Sequence, residues 1–93
     1  MLVYVFETKG WERRYLTEVA KGIELKFSED RLNKDTVHKY KDAKAVIVFV
    51  DSRVDREVID QLPKLRLIIT RSTGYDHIDV KYAIRRVRNS KKL

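Results

Sequence analysis

Strand-like and helix-like stretches alternate along this chain from end to end, and that alternation confines it to one class of fold. Leu2-Val3-Tyr4-Val5-Phe6 is a continuous β-branched and aromatic run, the pattern of a buried strand. Trp11, Tyr15, Leu16, Val19 and Ala20 then recur at helical spacing, with Gly22 where a helix C-cap belongs. Ile23, Leu25 and Phe27 alternate with Glu24, Lys26 and Ser28, which predicts a strand with one buried face, as at a sheet edge. Asn33 can cap a short helix whose apolar positions are Val37 and Tyr40. Ala45 to Val50 is the most apolar strand candidate and belongs in the middle of a sheet. Asp55 is a good N-cap, Val54 can pack on Ile59 as a hydrophobic staple, and the helix they start ends near Leu62-Pro63. Leu65 to Thr70 makes a fourth strand, and Asp79 can cap a last helix with Val80, Ala83, Ile84 and Val87 on one face.

Strands separated by helices of this length imply crossover connections, a mostly parallel sheet and helices on both of its faces. Four strands is few for that class. Leu67 and Ile69 would then lie near an open edge, a liability that natural proteins cover or pair. The expectation is a dimer, formed through that edge or through the apolar face of the last helix.

Composition narrows the chemistry. A length of 93 residues is one domain. Without cysteine there is no disulfide framework, thiol nucleophile or thiolate metal site, which suits a reducing cytosol. The longest apolar run is far short of the roughly 20 residues a membrane span needs. The N-terminus also lacks the layout of a signal peptide, so the expected location is cytoplasmic, with no membrane partner. Abundant Lys, Arg and Glu with a single Gln lean toward a heat-loving source. The net charge of +7 is unevenly spread: residues 1 to 79 hold 15 basic and 14 acidic side chains, while residues 80 to 93 hold six basic ones and no acid. The body is nearly neutral and the end is basic.

Ligands of open parallel sheets sit outside the C-terminal strand ends, so three loops matter: Glu7 to Gly10, Asp51 to Arg53 and Arg71 to Tyr75. The third is richest. It has a glycine permitting close backbone approach, hydroxyls beside a turn, and consecutive N–H groups able to hold a carboxylate or phosphate.

The run from Asp42-Ala43 through Val46 to Val50, then Val54 to Val58 and Leu62 to Ile68, leads into Arg71-Ser72-Thr73-Gly74-Tyr75-Asp76-His77-Ile78-Asp79. This resembles the N-terminal half-domain of the D-isomer-specific 2-hydroxyacid dehydrogenases, over residues 1 to about 84. The most specific piece is the Gly-aromatic-Asp-His-Ile-Asp string. The resemblance implies a flavodoxin-like three-layer domain (residues 1–84) followed by a basic tail (residues 85–93). It also implies a carboxylate of a small 2-hydroxy or 2-oxo acid held by backbone amides of Thr73 and Gly74, with Ser52 and Arg53 lining the other side of the cleft.

The family's hydride transfer uses NAD held by a Gly-rich loop, with catalytic residues beyond this half-domain. Gly10, Gly22 and Gly74 are the only glycines and cannot form that loop, so the chain is expected to bind no cofactor and to carry no catalytic residue. His77 is expected to have a structural hydrogen-bonding role. After Ala83 the sequence departs from the family, whose members continue into a fifth strand, and the expectation is a truncated or split relative that lacks it. Its expected partner is a second copy or a companion cofactor-binding chain.

Two other readings compete. A phosphate-receiver domain would place Asp51 at the end of the third strand but needs a second acidic residue beside Glu7 and a Lys after a fifth strand. A small interaction module could use the basic tail, with Tyr82 nearby, on nucleic acid or an acidic partner; the plainer account is a solvated helix end. The two histidines form no metal-ligand cluster, and no Gly-x-Ser-x-Gly nucleophile motif surrounds Ser52, Ser72 or Ser90.

Overall fold

The computed structural model describes residues 2–9, 14, 22–72, 74, 76–86 and 89–92. Five strands form one sheet: β1 (Leu2–Val5), β2 (Glu24–Phe27), β3 (Ala45–Val48), β4 (Leu67–Thr70) and β5 (Asn89–Lys92). Their order is β2-β1-β3-β4-β5 and every pairing is parallel. This is the flavodoxin-like order, which reverses direction between β1 and β3. A 3-10 turn (Val37–Tyr40) precedes β3, helix α1 (Arg56–Asp60) joins β3 to β4, and helix α2 (Val80–Arg86) joins β4 to β5.

The alternating residues of the central strands divide the core. Tyr4, Phe6, Val46, Val48 and Ile68 pack with Val37, Tyr40, Val58, Ile59 and Ala83 from the helical segments. Val3, Val5 and Ala45 form a second buried cluster, against which Leu25, Phe27, Ile47 and Leu67 pack. The helix read over Trp11 to Ala20 lies outside the described residues except for Arg14, which is helical.

Both anticipated helix caps are present. The Asp55 carboxylate accepts from the Val58 N–H at 3.1 Å, and Val54 and Ile59 are both buried in the same cluster. The Asp79 carboxylate accepts from the Tyr82 N–H at 3.1 Å. Asn33 Oδ1 accepts from the N–H groups of Asp35 and Thr36, opening the turn that buries Val37 and Tyr40.

Three expectations need correction. The fifth strand is not missing: Asn89–Lys92 pairs with β4, Leu67 opposite Asn89 and Thr70 opposite Lys92. Asn-Ser-Lys-Lys has no strand-like pattern, but the open hydrogen-bonding groups of β4 recruit its backbone, a case of tertiary context overriding local preference. Of the basic segment, Arg85 and Arg86 therefore finish α2, and residues 89–92 enter the sheet. The central strand stops at Val48, and Phe49 and Val50 are 40% and 52% exposed because their backbone turns away from the ladder. Ile84, expected on the buried face of the last helix, is 68% exposed; Ala83 alone is fully buried among the described residues of α2.

Candidate functional site

The C-terminal ends of β1, β3 and β4 lie side by side, so the loops that leave them meet. Glu7 follows β1, and its carboxylate is the hub of this edge. Oε2 accepts from Phe49 N (2.9 Å), Ser52 N (3.1 Å) and the Ser52 hydroxyl (2.6 Å), and Oε1 accepts from Asp51 N (3.0 Å). These bonds explain why β3 ends where it does: the N–H groups that would continue a strand converge on an anion. Ser52 is 2% exposed, and its oxygen also accepts from Leu32 N at 2.9 Å. From the β4 side the Arg71 guanidinium donates to the carbonyls of Phe6 (2.9 Å) and Glu7 (3.2 Å) and lies over the Phe49 ring.

The loop after β4 is organised by hydroxyls. Ser72 Oγ donates to the Gly74 carbonyl at 2.6 Å, which uses its only proton. In the 2.8 Å contact between Thr70 and Ser72, Thr70 must then be the donor. With its proton spent, Thr70 can only accept from His77 Nε2 at 3.0 Å. This ordering puts a proton on Nε2 and ties the imidazole to the strand end. His77 thus has the structural hydrogen-bonding role anticipated for it, and Nε2 is not available as a base.

Backbone contacts bring the two loops together. Val54 N donates to the His77 carbonyl at 2.8 Å, Asp79 N donates to the Val54 carbonyl at 2.9 Å, and Val54 and Ile78 form a parallel bridge. Between them opens a cleft of about 310 Å³ lined by Val50, Arg53, Gly74, Asp76 and His77. Two of the anticipated site residues, Arg53 and Gly74, line it. Ser52 is placed differently: it is buried beneath the cleft wall with its hydroxyl committed to Glu7 and Leu32. Thr73 lies outside the described residues. Among the described residues the exposed Arg53 side chain makes no hydrogen bond or ion pair, and its N–H is held by the Leu32 carbonyl at 2.7 Å.

Gly74 has neither of the usual internal reasons to be glycine. Its φ is outside the left-handed region, and a Cβ built there meets nothing within 4 Å among the described residues. What the absent side chain leaves is room over the cleft.

A second cleft of about 300 Å³ shares Arg53 and is lined by Arg31, Asn33, Lys34, Asp35, Asp51 and Asp55. Its mixed charges form no metal site: among the described residues there is no group of three or more potential metal ligands. Asp51 is exposed and offers its N–H, rather than a paired carboxylate, to Glu7.

Glu7, whose carboxylate organises this edge, is not among the site residues that motif reading singles out. A carboxylate at the switch point of the strand order, beside a loop with free N–H groups, was the signal available. Asp76 was also missed as a lining residue, although it stands inside the Gly-aromatic-Asp-His string.

Residues 3–89 match the family model of the D-isomer specific 2-hydroxyacid dehydrogenase catalytic domain. The chain belongs to this family. It is 33% identical over 87 residues to a 2-hydroxyacid dehydrogenase homolog of Zymomonas mobilis, covering 89% of this chain and 26% of that protein. It is 33% identical over 85 residues to the glyoxylate reductase of Korarchaeum cryptofilum, covering 88% and 26%. Among solved structures, the apo D-lactate dehydrogenase of Escherichia coli superposes with a TM-score of 0.91 at 26% identity, over 100% of this chain and 31% of that one. The D-lactate dehydrogenase of Aquifex aeolicus, solved with NAD and lactic acid, gives 0.86 at 27% identity over 98% and 27%. The chain thus spans about a quarter of the length of these 2-hydroxyacid dehydrogenase relatives.

Proposed function

We propose that this chain is the substrate-binding half of a D-2-hydroxyacid dehydrogenase, and that its cleft holds the carboxylate of a small 2-hydroxy or 2-oxo acid against the backbone at Thr73 and Gly74. The observation that carries this reading is the open space at Gly74, in a cleft shared with Arg53, whose side chain makes no hydrogen bond or ion pair among the described residues. Aligned backbone donors orient a carboxylate, and the guanidinium across the cleft adds charge. Ser52 serves from beneath, by fixing the wall that carries Arg53.

Hydride chemistry has to come from elsewhere. The three glycines at 10, 22 and 74 are too few and too far apart for a dinucleotide-binding loop, and His77 Nε2 is committed to Thr70. In this reading the nicotinamide-binding part of the enzyme, outside these 93 residues, supplies the cofactor. A second copy would meet the chain on α2, where Ile84 is exposed.

Titration of the isotope-labelled chain with pyruvate, glyoxylate and D-lactate, followed by amide chemical shifts, tests the reading. Saturable shifts at Arg53, Gly74 and Asp76 are expected. Gly74→Val should abolish them and Thr73→Ser should preserve them. Equal losses from both variants would refute backbone recognition. Oxidation of D-lactate with NAD by residues 1–93 alone would refute the assignment of hydride transfer to the enzyme outside these residues.

A further inference from the structure

Glu7 sits at φ 58°, the left-handed region that disfavours any residue with a side chain. Glycine would be relaxed there, yet the position carries a carboxylate that accepts four hydrogen bonds from a single turn. This occurs where the strand order reverses between β1 and β3, the crevice in which such sheets admit their ligands. Three amides and a hydroxyl converge there as they would on a bound anion, and the anion is the chain's own side chain.

We propose that Glu7 is a positioning residue for the acid-binding cleft: it fills the switch-point crevice and, by holding the Phe49–Ser52 turn, aims Val50 and Arg53 at Gly74. The proposal rests on the reading of that cleft as an acid site. Its geometry is cumulative. The held turn swings Val50 out of the ladder into the cleft wall. Ser52, gripped by Oε2, in turn receives Leu32 N, and the Leu32 carbonyl receives Arg53 N. Arg71 clamps the carbonyls on either side of the strained peptide, so the loops after β1, β3 and β4 are braced through one residue. Glu7 itself does not line the cleft; it acts through Ser52 and Arg53.

The test compares the 93-residue chain with Glu7→Gly and Glu7→Gln. Glycine relieves the backbone while vacating the crevice. Glutamine keeps one acceptor oxygen but points an NH₂ group at N–H donors. Amide exchange, pyruvate titration and addition of formate are the measurements. Exchange protection at Phe49, Asp51 and Ser52 should fall about tenfold or more in both variants, the effect of losing hydrogen bonds to a charged acceptor. Leu25 and Phe27 in β2 should keep their protection. Pyruvate affinity should weaken about tenfold in both variants by the same coupling. Formate should enter the vacated crevice of Glu7→Gly and restore protection and affinity saturably, with no effect on Glu7→Gln.

Unchanged protection at the turn, an equal fall across β2, unchanged pyruvate affinity, or the absence of formate rescue would each overturn the proposal. If Glu7→Gly does not fold, protection at residues 49–52 in Glu7→Gln decides it. A wild-type chain that binds no pyruvate would sink the acid-site reading, while local protection and formate rescue still report whether Glu7 holds the turn.

Discussion

His77 Nε2 donates to Thr70 Oγ1 across 3.0 Å, joining the last residue of β4 to the segment that leads into α2. The bond is the first in a chain of three that runs through Ser72 to the Gly74 carbonyl, so the turn beside the cleft is held by side chains from both of its ends. Thr70→Val keeps the shape and removes the relay. It should destabilise the domain by about 1–3 kcal/mol, because Nε2–H and Ser72 lose a buried partner. Urea denaturation measures this, and imidazole nitrogen shifts should show the Nε2-protonated tautomer in the wild type. A neutral Nδ1-protonated ring would reverse the proposed order of donors.

Gly22 and Gly74 should respond oppositely to alanine. Gly22 has a φ of +87°, so Gly22→Ala is strained and should lower stability by about 1 kcal/mol or more. Gly74→Ala meets open space at ordinary φ and should leave stability within about 0.5 kcal/mol, while the acid titration weakens. Thermal melts beside the titration separate the two effects.

The buried Tyr40 donates to Asp30 Oδ2 at 2.6 Å and, its proton spent, accepts from the Ser28 hydroxyl at 2.8 Å. The Tyr40 bond holds the Asp30 carboxyl below its ordinary value, and burial, with the bond to Asp30 second, raises the Tyr40 phenol. A carboxyl depressed on folding stabilises above its unfolded value and loses that contribution as pH falls through the folded one. A raised phenol stabilises below its unfolded value and loses that contribution as pH climbs through the folded one. Stability should therefore decline below about pH 4 and above about pH 10. Tyr40→Phe should flatten both limbs and cost about 1–2 kcal/mol near neutrality, measured by denaturation across pH.

Capping by Asp79 should matter more than capping by Asp55. Both accept an N–H from the first turn of their helix, but Asp79 also pairs with Arg56 Nε at 3.4 Å, linking the two helix starts. Asp55→Ala should cost about 1 kcal/mol and Asp79→Ala somewhat more, in chemical denaturation.

The elements legible in the sequence were those with a strong local cause. Asp55 and Asp79 announced their caps, and the β-branched run at Ala45 announced the central strand; Asn33 instead closes the turn ahead of the 3-10 helix, whose N-cap is Thr36. Elements built by distant partners were not. Phe49 and Val50 read as strand until a carboxylate more than 40 positions earlier draws their neighbouring amides into a turn. Ile84 keeps helical spacing, but α2 buries Ala83 and leaves it in solvent. Of the proposed site, the resemblance singled out Arg53 and Gly74, which line one cleft. The inward commitment of Ser52 was not visible, because it depends on Leu32 and Glu7 arriving from separate loops.

The strand beside β4 reads Asn-Ser-Lys-Lys, and among the described residues no strand pairs with its far side. A neighbour adding itself in register there would bring lysine against lysine, a mismatch that disfavours strand stacking between molecules. Crowded solutions of the protein should accordingly resist fibre growth in dilute buffer and become more prone to it as added salt screens the repulsion.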